Sequence, residues 1–124
     1  MNDNRCYIIL RMDLNMPEGK MAVQVGHAID SIWSNFVIKS KTDIESVQIH
    51  EFQDWVQNNR RKILLKIDNE VKIENLKVKL QSEGYNVFDI EDYGLNFFDG
   101  LTRTGIVVYP VNHEIKSLKR IRCW

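Results

Sequence analysis

The sequence predicts an α/β fold, a three-layer α/β/α sandwich around a mixed, mostly parallel sheet of about four strands. Strand-length apolar runs alternate with segments whose apolar residues recur at helical spacing. The connection between the third and fourth strands is too short for a crossover helix, which makes that pair antiparallel. A chain of 124 residues with 44% apolar content suits one domain, 1–124, able to bury roughly two-thirds of its unfolded surface.

Residues 5–12, centred on Tyr7-Ile8-Ile9-Leu10, read as a buried strand. Residues 13–18 form a loop carrying Pro17, and a helix follows from about 20 to 36 with Met21, Val25, Ile29, Ile32 and Phe36 as its apolar face. A polar connection spans 39–43; Phe52, Trp55 and Val56 then mark a second helix reaching about Asn58. Residues 62–67 form the next strand. Asp68 caps a helix that turns Ile73, Leu76 and Leu80 inward and closes with Gly84 at C′. Residues 86–91 are the third strand, 92–101 a loop punctuated by Gly94 and Gly100, and 102–109 the fourth strand. After Pro110, residues 112–121 read as a closing helix with a basic outer face.

Seventeen basic residues balance seventeen acidic ones, so no global field drives the chain toward nucleic acid or membrane. The charges are unevenly placed. Residues 84–102 hold no Lys or Arg while Asp89, Glu91, Asp92 and Asp99 cluster there; Arg103, Lys116, Lys119, Arg120 and Arg122 follow against Glu114 alone. No apolar run reaches membrane-spanning length and the first residues lack a secretory pattern, so a soluble, cytoplasmic protein is expected. Cys6 and Cys123 give neither a disulfide framework nor a ligand spacing, and His27, His50 and His113 stand far apart, so no metal site is expected.

The most informative stretch is Gly19-Lys20-Met21-Ala22-Val23-Gln24-Val25-Gly26-His27-Ala28. On a helix it lines Lys20, Gln24 and His27 into one polar row within roughly 60°. Such a row is also what any amphipathic helix shows to solvent. Lys20, however, sits near the helix start, where the macrodipole disfavours an ammonium, and this points to an anion for it to serve. Gly26 costs about 1 kcal/mol against Ala inside a helix and suggests a close approach by another element. The predicted topology brings the end of the first strand, Asp92 at the end of the third, and Thr102-Arg103-Thr104 at the start of the fourth to one sheet edge, where α/β folds place ligands.

The run from Gly19 to Ala28 resembles the signature of type-II peptidyl-tRNA hydrolases, in which G-K-x-A-x-Q-x-x-H-A opens the first helix. Asp92-Tyr93-Gly94, followed by Thr102, Thr104 and Pro110, resembles the same family's D-x-G-x(7)-T-x-T-x(5)-P segment without a gap. The resemblance spans nearly the whole chain. It implies hydrolysis of the ester joining a peptide to the terminal ribose of tRNA, with no metal or organic cofactor. Lys20, Gln24, His27, Asp92 and Thr104 are the catalytic candidates it implies, and Asn96, Thr102 and Arg103 the substrate-binding ones. Asp92 would orient Lys20 or the water, Lys20 and Gln24 stabilise negative charge, His27 transfer a proton or position substrate, and Thr104 hydrogen-bond the reacting group. The resemblance also implies a homodimer.

The chain departs from the pattern after Asp-x-Gly, where Leu95 and Asn96 replace the usual Arg-Thr, Phe97 replaces a polar residue, and Leu101 replaces a Gly. Asn96 keeps hydrogen-bonding capacity; Leu95 cannot replace an arginine. This leaves a second reading open, the same fold without turnover, binding RNA or protein through Arg103, Lys116, Lys119, Arg120 and Arg122.

Overall fold

Helices and strands follow one another as β1 (Cys6–Arg11), α1 (Glu18–Trp33), α2 (Val47–Asn58), β2 (Lys62–Ile67), α3 (Glu70–Ser82), β3 (Val87–Asp92), β4 (Thr102–Val108) and the two-residue β5 (Arg122–Cys123). The structure is a computed structural model and describes residues 3–35, 47–95 and 98–124, with backbone alone for 47–49. Phe36, the 39–43 connection, Asn96 and Phe97 lie outside the described residues.

The α/β expectation holds, and the sheet differs from it in two respects. Among the described residues it has five strands, in the order β3-β4-β1-β2-β5. Among the described residues only β1 and β2 pair in parallel; β1–β4, β3–β4 and β2–β5 are antiparallel, so the pairing is mixed rather than mostly parallel. The antiparallel β3–β4 pair is as expected. The fifth strand replaces the expected closing helix, of which a single 3-10 turn, Lys116–Leu118, remains. Ile115, Leu118 and Ile121 recur every third residue, the 3-10 period, and all three pack on the core. The chain then serves the open edge of β2: Cys123 pairs Leu65, and Trp124 donates its backbone N–H to the Leu64 carbonyl at 3.1 Å and its indole N–H to Leu65 at 3.0 Å. Covering an exposed edge removes a template for unwanted pairing.

Strand alternation divides the core. Tyr7 and Ile9 of β1 pack with Ile73, Leu76 and Leu80 of α3. Cys6, Ile8 and Leu10 pack with Ala28 and Ile32 of α1 and Phe52 and Trp55 of α2. Burial pushes the Cys6 thiol up to about 12, against a small opposing pull from Lys62. Since the thiolate is the nucleophile, a maleimide at pH 8 should label only exposed Cys123 in the native protein, and both cysteines after denaturation, as read by intact mass.

Helix α3 is capped by Asn69, not Asp68: the Asn69 side chain accepts from the Lys72 backbone N–H at 3.0 Å. Its end is as expected. Gly84 N–H bonds the Gln81 carbonyl and Tyr85 N–H the Leu80 carbonyl, the paired bonds of a Schellman motif. Helix α1 begins two residues before Lys20 and buries Gln24, Ala28 and Ile32, with Met21, Val25 and Ile29 on the flank. Among the described residues nothing lies within 4 Å of where a Cβ on Gly26 would stand, so none of them makes the expected close approach. Gly26→Ala should therefore stabilise the protein by up to about 1 kcal/mol in a denaturant titration.

Candidate active site

Three elements deliver the cluster. Helix α1 brings Lys20, Gln24 and His27 across the sheet; β3 ends at Asp92; β4 contributes Thr104. The Asp92 carboxylate is their meeting point. Its Oδ2 lies 2.7 Å from Lys20 Nζ, accepts from Gln24 Nε2 at 2.9 Å, and stands 3.3 Å from His27 Nε2. Its Oδ1 accepts the Gly94 backbone N–H at 2.8 Å. The anion that Lys20 serves at the unfavourable end of its helix is thus a carboxylate of the chain itself.

Burial works to raise the Asp92 pKa, but hydrogen bonds from Lys20, Gln24 and the Gly94 N–H, with the Lys20 charge, outweigh it and hold the group well below the usual carboxylate range. The folded value lies below the unfolded one of about 3.9, so the stabilisation is present above that pH and is lost as pH falls through the folded value. A carboxylate so stabilised is a weak base, better suited to holding its neighbours than to taking a proton.

A β-bulge aims Thr104. Ile90 pairs Gly105 and Glu91 pairs Arg103, so no residue of β3 stands opposite Thr104. Ile106 faces the α3 side with Ile9, and Val107 faces the α1 side with Ile8. Unbroken alternation would put Thr104 beside Ile106; the bulge turns it to the α1 side, because a one-residue slip exchanges the faces. There its hydroxyl donates to Gln24 Oε1 at 2.7 Å, with the Ile90 carbonyl at 3.3 Å. Gly105 permits the crossing: a Cβ on it would stand 2.1 Å from the Ile9 carbonyl oxygen. Gly94 is required twice over, by φ of +75° and by the Gly100 backbone, whose oxygen would lie 2.3 Å from a Cβ.

The members differ in access. Gln24 and Thr104 have 0% exposure and lie at the back of the cluster. The Asp92 and Lys20 side chains keep 5% and 13% exposure and His27 keeps 35%, which makes these three the open side. Thr102 stands at the loop edge and donates to the Gly100 carbonyl at 3.0 Å. Arg103 is on the other sheet face, its guanidinium bound by Glu70, by Glu74 at 2.9 Å and by Asp89 at 3.0 Å. It does not join the cluster. Burial opposes its charge, yet those three carboxylates hold its pKa above the ordinary guanidinium value.

Two further residues take part, Phe98, which the sequence leaves either lining or covering the crevice, and Ser31, which it does not single out. Phe98 lies under Lys20, with Nζ 5.4 Å from the ring centroid, a cation–π contact. Ser31 extends the row of Lys20, Gln24 and His27 by four residues and donates to the Asp89 carbonyl at 2.8 Å. Its spacing was the available signal. Among the described residues no group of three or more His, Cys, Asp or Glu could hold a metal ion.

The profile of the family Peptidyl-tRNA hydrolase PTH2 matches residues 4–119. The chain belongs to this family. PTH2 relatives include the peptidyl-tRNA hydrolase of Thermoplasma volcanium, 31% identical over 83% of this chain and 81% of the relative. That of Methanocaldococcus jannaschii is 27% identical over 86% of each. A Drosophila melanogaster protein named probable peptidyl-tRNA hydrolase 2 is 24% identical over 89% of this chain and 55% of its own length. Within the PTH2 resemblance, Leu95 at the usual arginine position is 88% exposed and contributes no charge to the site.

Proposed function

We propose that this chain hydrolyses the ester linking a peptide to tRNA in peptidyl-tRNA, releasing free tRNA. The observation that carries this reading is the PTH2 match over residues 4–119, which contains every member of the Lys20–Gln24–His27–Asp92–Thr104 cluster. The chemistry needs an aimed water, donors for the tetrahedral oxyanion, and a proton for the departing ribose oxygen. Water oxygen bonds the carbonyl carbon, the carbon–ribose-oxygen bond breaks, and the proton lost by water ends on that ribose oxygen.

In this scheme Lys20 keeps one N–H on Asp92 and offers its remaining donors to the oxyanion. His27, the most open member, exchanges the proton, since an imidazole both accepts and donates. Asp92 holds both. Gln24 and Thr104 are positioning residues, fixing Asp92 from behind. Thr102, at the loop edge, remains a substrate-contact proposal, as does Asn96, which lies outside the described residues.

The test is release of free tRNA from N-acetylaminoacyl-tRNA by purified protein. Lys20→Ala should lower kcat by about 10²- to 10³-fold, the loss typical of one oxyanion donor, with an unchanged circular dichroism spectrum. Turnover at the parent rate would remove Lys20 from the mechanism.

The three-layer α/β/α description and the single domain 1–124 are part of this reading, supported by the separate clusters on the two sheet faces. A cytoplasmic site of action is proposed from the substrate; among the described residues no helix is long and apolar enough to cross a membrane. The homodimer is likewise proposed, with Trp33 at 47% and Trp124 at 44% exposure as available apolar surface, and sedimentation velocity reads it directly.

A further inference from the structure

Among the described residues, strand β3 has β4 as its one neighbour and forms a margin of the sheet. Along that margin runs a cavity of about 640 Å³, walled by Ser31 of α1 with Ser34 and Asn35 just past its end, by Asp89 and Glu91 of β3, and by Lys77 of α3. It reaches the catalytic cluster directly: His27, whose Nε2 is 3.3 Å from Asp92, and Tyr93, the residue after Asp92, both line it. The volume falls within the range of small-ligand clefts and accommodates a few residues of extended chain.

Its charge decides the occupant. Asp89 is neutralised by Lys77, 3.1 Å away, and by Arg103 at 3.0 Å. Asp30, with 82% side-chain exposure and 3.9 Å from His27 Nδ1, and exposed Glu91 have no Lys or Arg ion pair among the described residues. A groove with that surplus repels phosphates. It suits a peptide, whose backbone N–H groups and cationic side chains meet carboxylates and hydroxyls.

We propose that this groove holds the peptidyl part of the substrate, running away from the ester along β3, and that it favours cationic over acidic residues there. The proposal rests on the hydrolase reading above and assigns its substrate preference.

The experiment uses N-acetyl-dipeptidyl-tRNAs with one tRNA and one C-terminal residue, differing only in a penultimate Lys, Gln or Glu. N-acetylaminoacyl-tRNA is the reference. The parent should show kcat/KM in the order Lys, Gln, Glu, each step about two- to five-fold at low salt and shrinking as salt rises. Glu91→Lys, a surface change, should compress or reverse that order while leaving the reference substrate unchanged. Ser34→Trp, which fills the groove, should raise KM for the dipeptidyl substrates and spare the reference. Equal kcat/KM for all three in the parent overturns the proposal. So does a Glu91→Lys protein that speeds every substrate alike, which would mark the groove as a path for tRNA. A parent that releases tRNA from no ester defeats the hydrolase reading itself, whereas release indifferent to peptide charge defeats the groove alone.

Discussion

Asp92→Asn is expected to reduce tRNA release by about 10³-fold or more while the protein still folds. One oxygen of Asp92 receives Lys20, Gln24 and His27 together, at 2.7, 2.9 and 3.3 Å. An asparagine can still accept the Gly94 N–H through its carbonyl, but the other position becomes an NH₂ that faces three nitrogens. Lys20 loses its counter-charge and His27 its partner in the same step, so the effect exceeds that of removing Lys20 alone, and the two substitutions combined should cost little more than Asp92→Asn by itself. Loss of the charged hydrogen bonds should also lower stability by about 1–3 kcal/mol at pH 7. That penalty should narrow toward acid pH, where the parent's carboxylate gives up its own contribution. Urea titrations at pH 7 and pH 3, run beside the kinetics, check both parts; an Asp92→Asn enzyme within ten-fold of the parent would separate Asp92 from the chemistry.

The second large effect lies at a residue that touches no substrate. Gly105→Ala places a methyl group 2.1 Å from the Ile9 carbonyl oxygen and 3.0 Å from Leu10 Cα. Both obstacles are backbone of the central strand β1, fully buried and paired on its two sides, and neither can step aside as a flexible side chain would. Either β4 lifts from β1 or the bulge beside Gly105 is lost, which would return Thr104 to the α3 face. We expect destabilisation by about 3 kcal/mol or more, on the scale of overpacked cores, and loss of activity in whatever fraction still folds. Thermal denaturation followed by circular dichroism, with tRNA release measured well below the new midpoint, reads the two consequences separately.

Much of this site was legible because helical periodicity is local. Steps of four and three from Lys20 through Gln24 to His27 need only 3.6 residues per turn, and a third strand too close to the fourth for a crossover must turn back antiparallel. Those two facts alone bring Asp92 to the row on α1. Depth was not legible in the same way. Gln24 reads as a polar surface residue until Ala28 and Ile32 below it are seen to face the sheet, and its complete burial follows from docking rather than from spacing. The face of Thr104 was equally hidden, since period-two alternation assigns it wrongly unless Thr104-Gly105 is taken as a sign of a bulge. The surroundings of Arg103 were hidden for a related reason: the same bulge carries it toward Glu70, Glu74 and Asp89, which are remote in sequence. The closing segment misled because Ile115, Leu118 and Ile121 satisfy a helical period and a 3-10 period alike. The unpaired margin of β2, which draws the last residues into a strand, is a property of the assembled sheet.

The strand order has a kinetic corollary. Asp92 sits on the outermost strand and reaches Lys20 only after β4 has been laid against β1 and β3 against β4. Helix α1 itself packs on β3 and β4, so the ammonium and its anchoring carboxylate are brought together by one docking step, and the gain of ester cleavage during refolding times the closing of that helix over the sheet's margin.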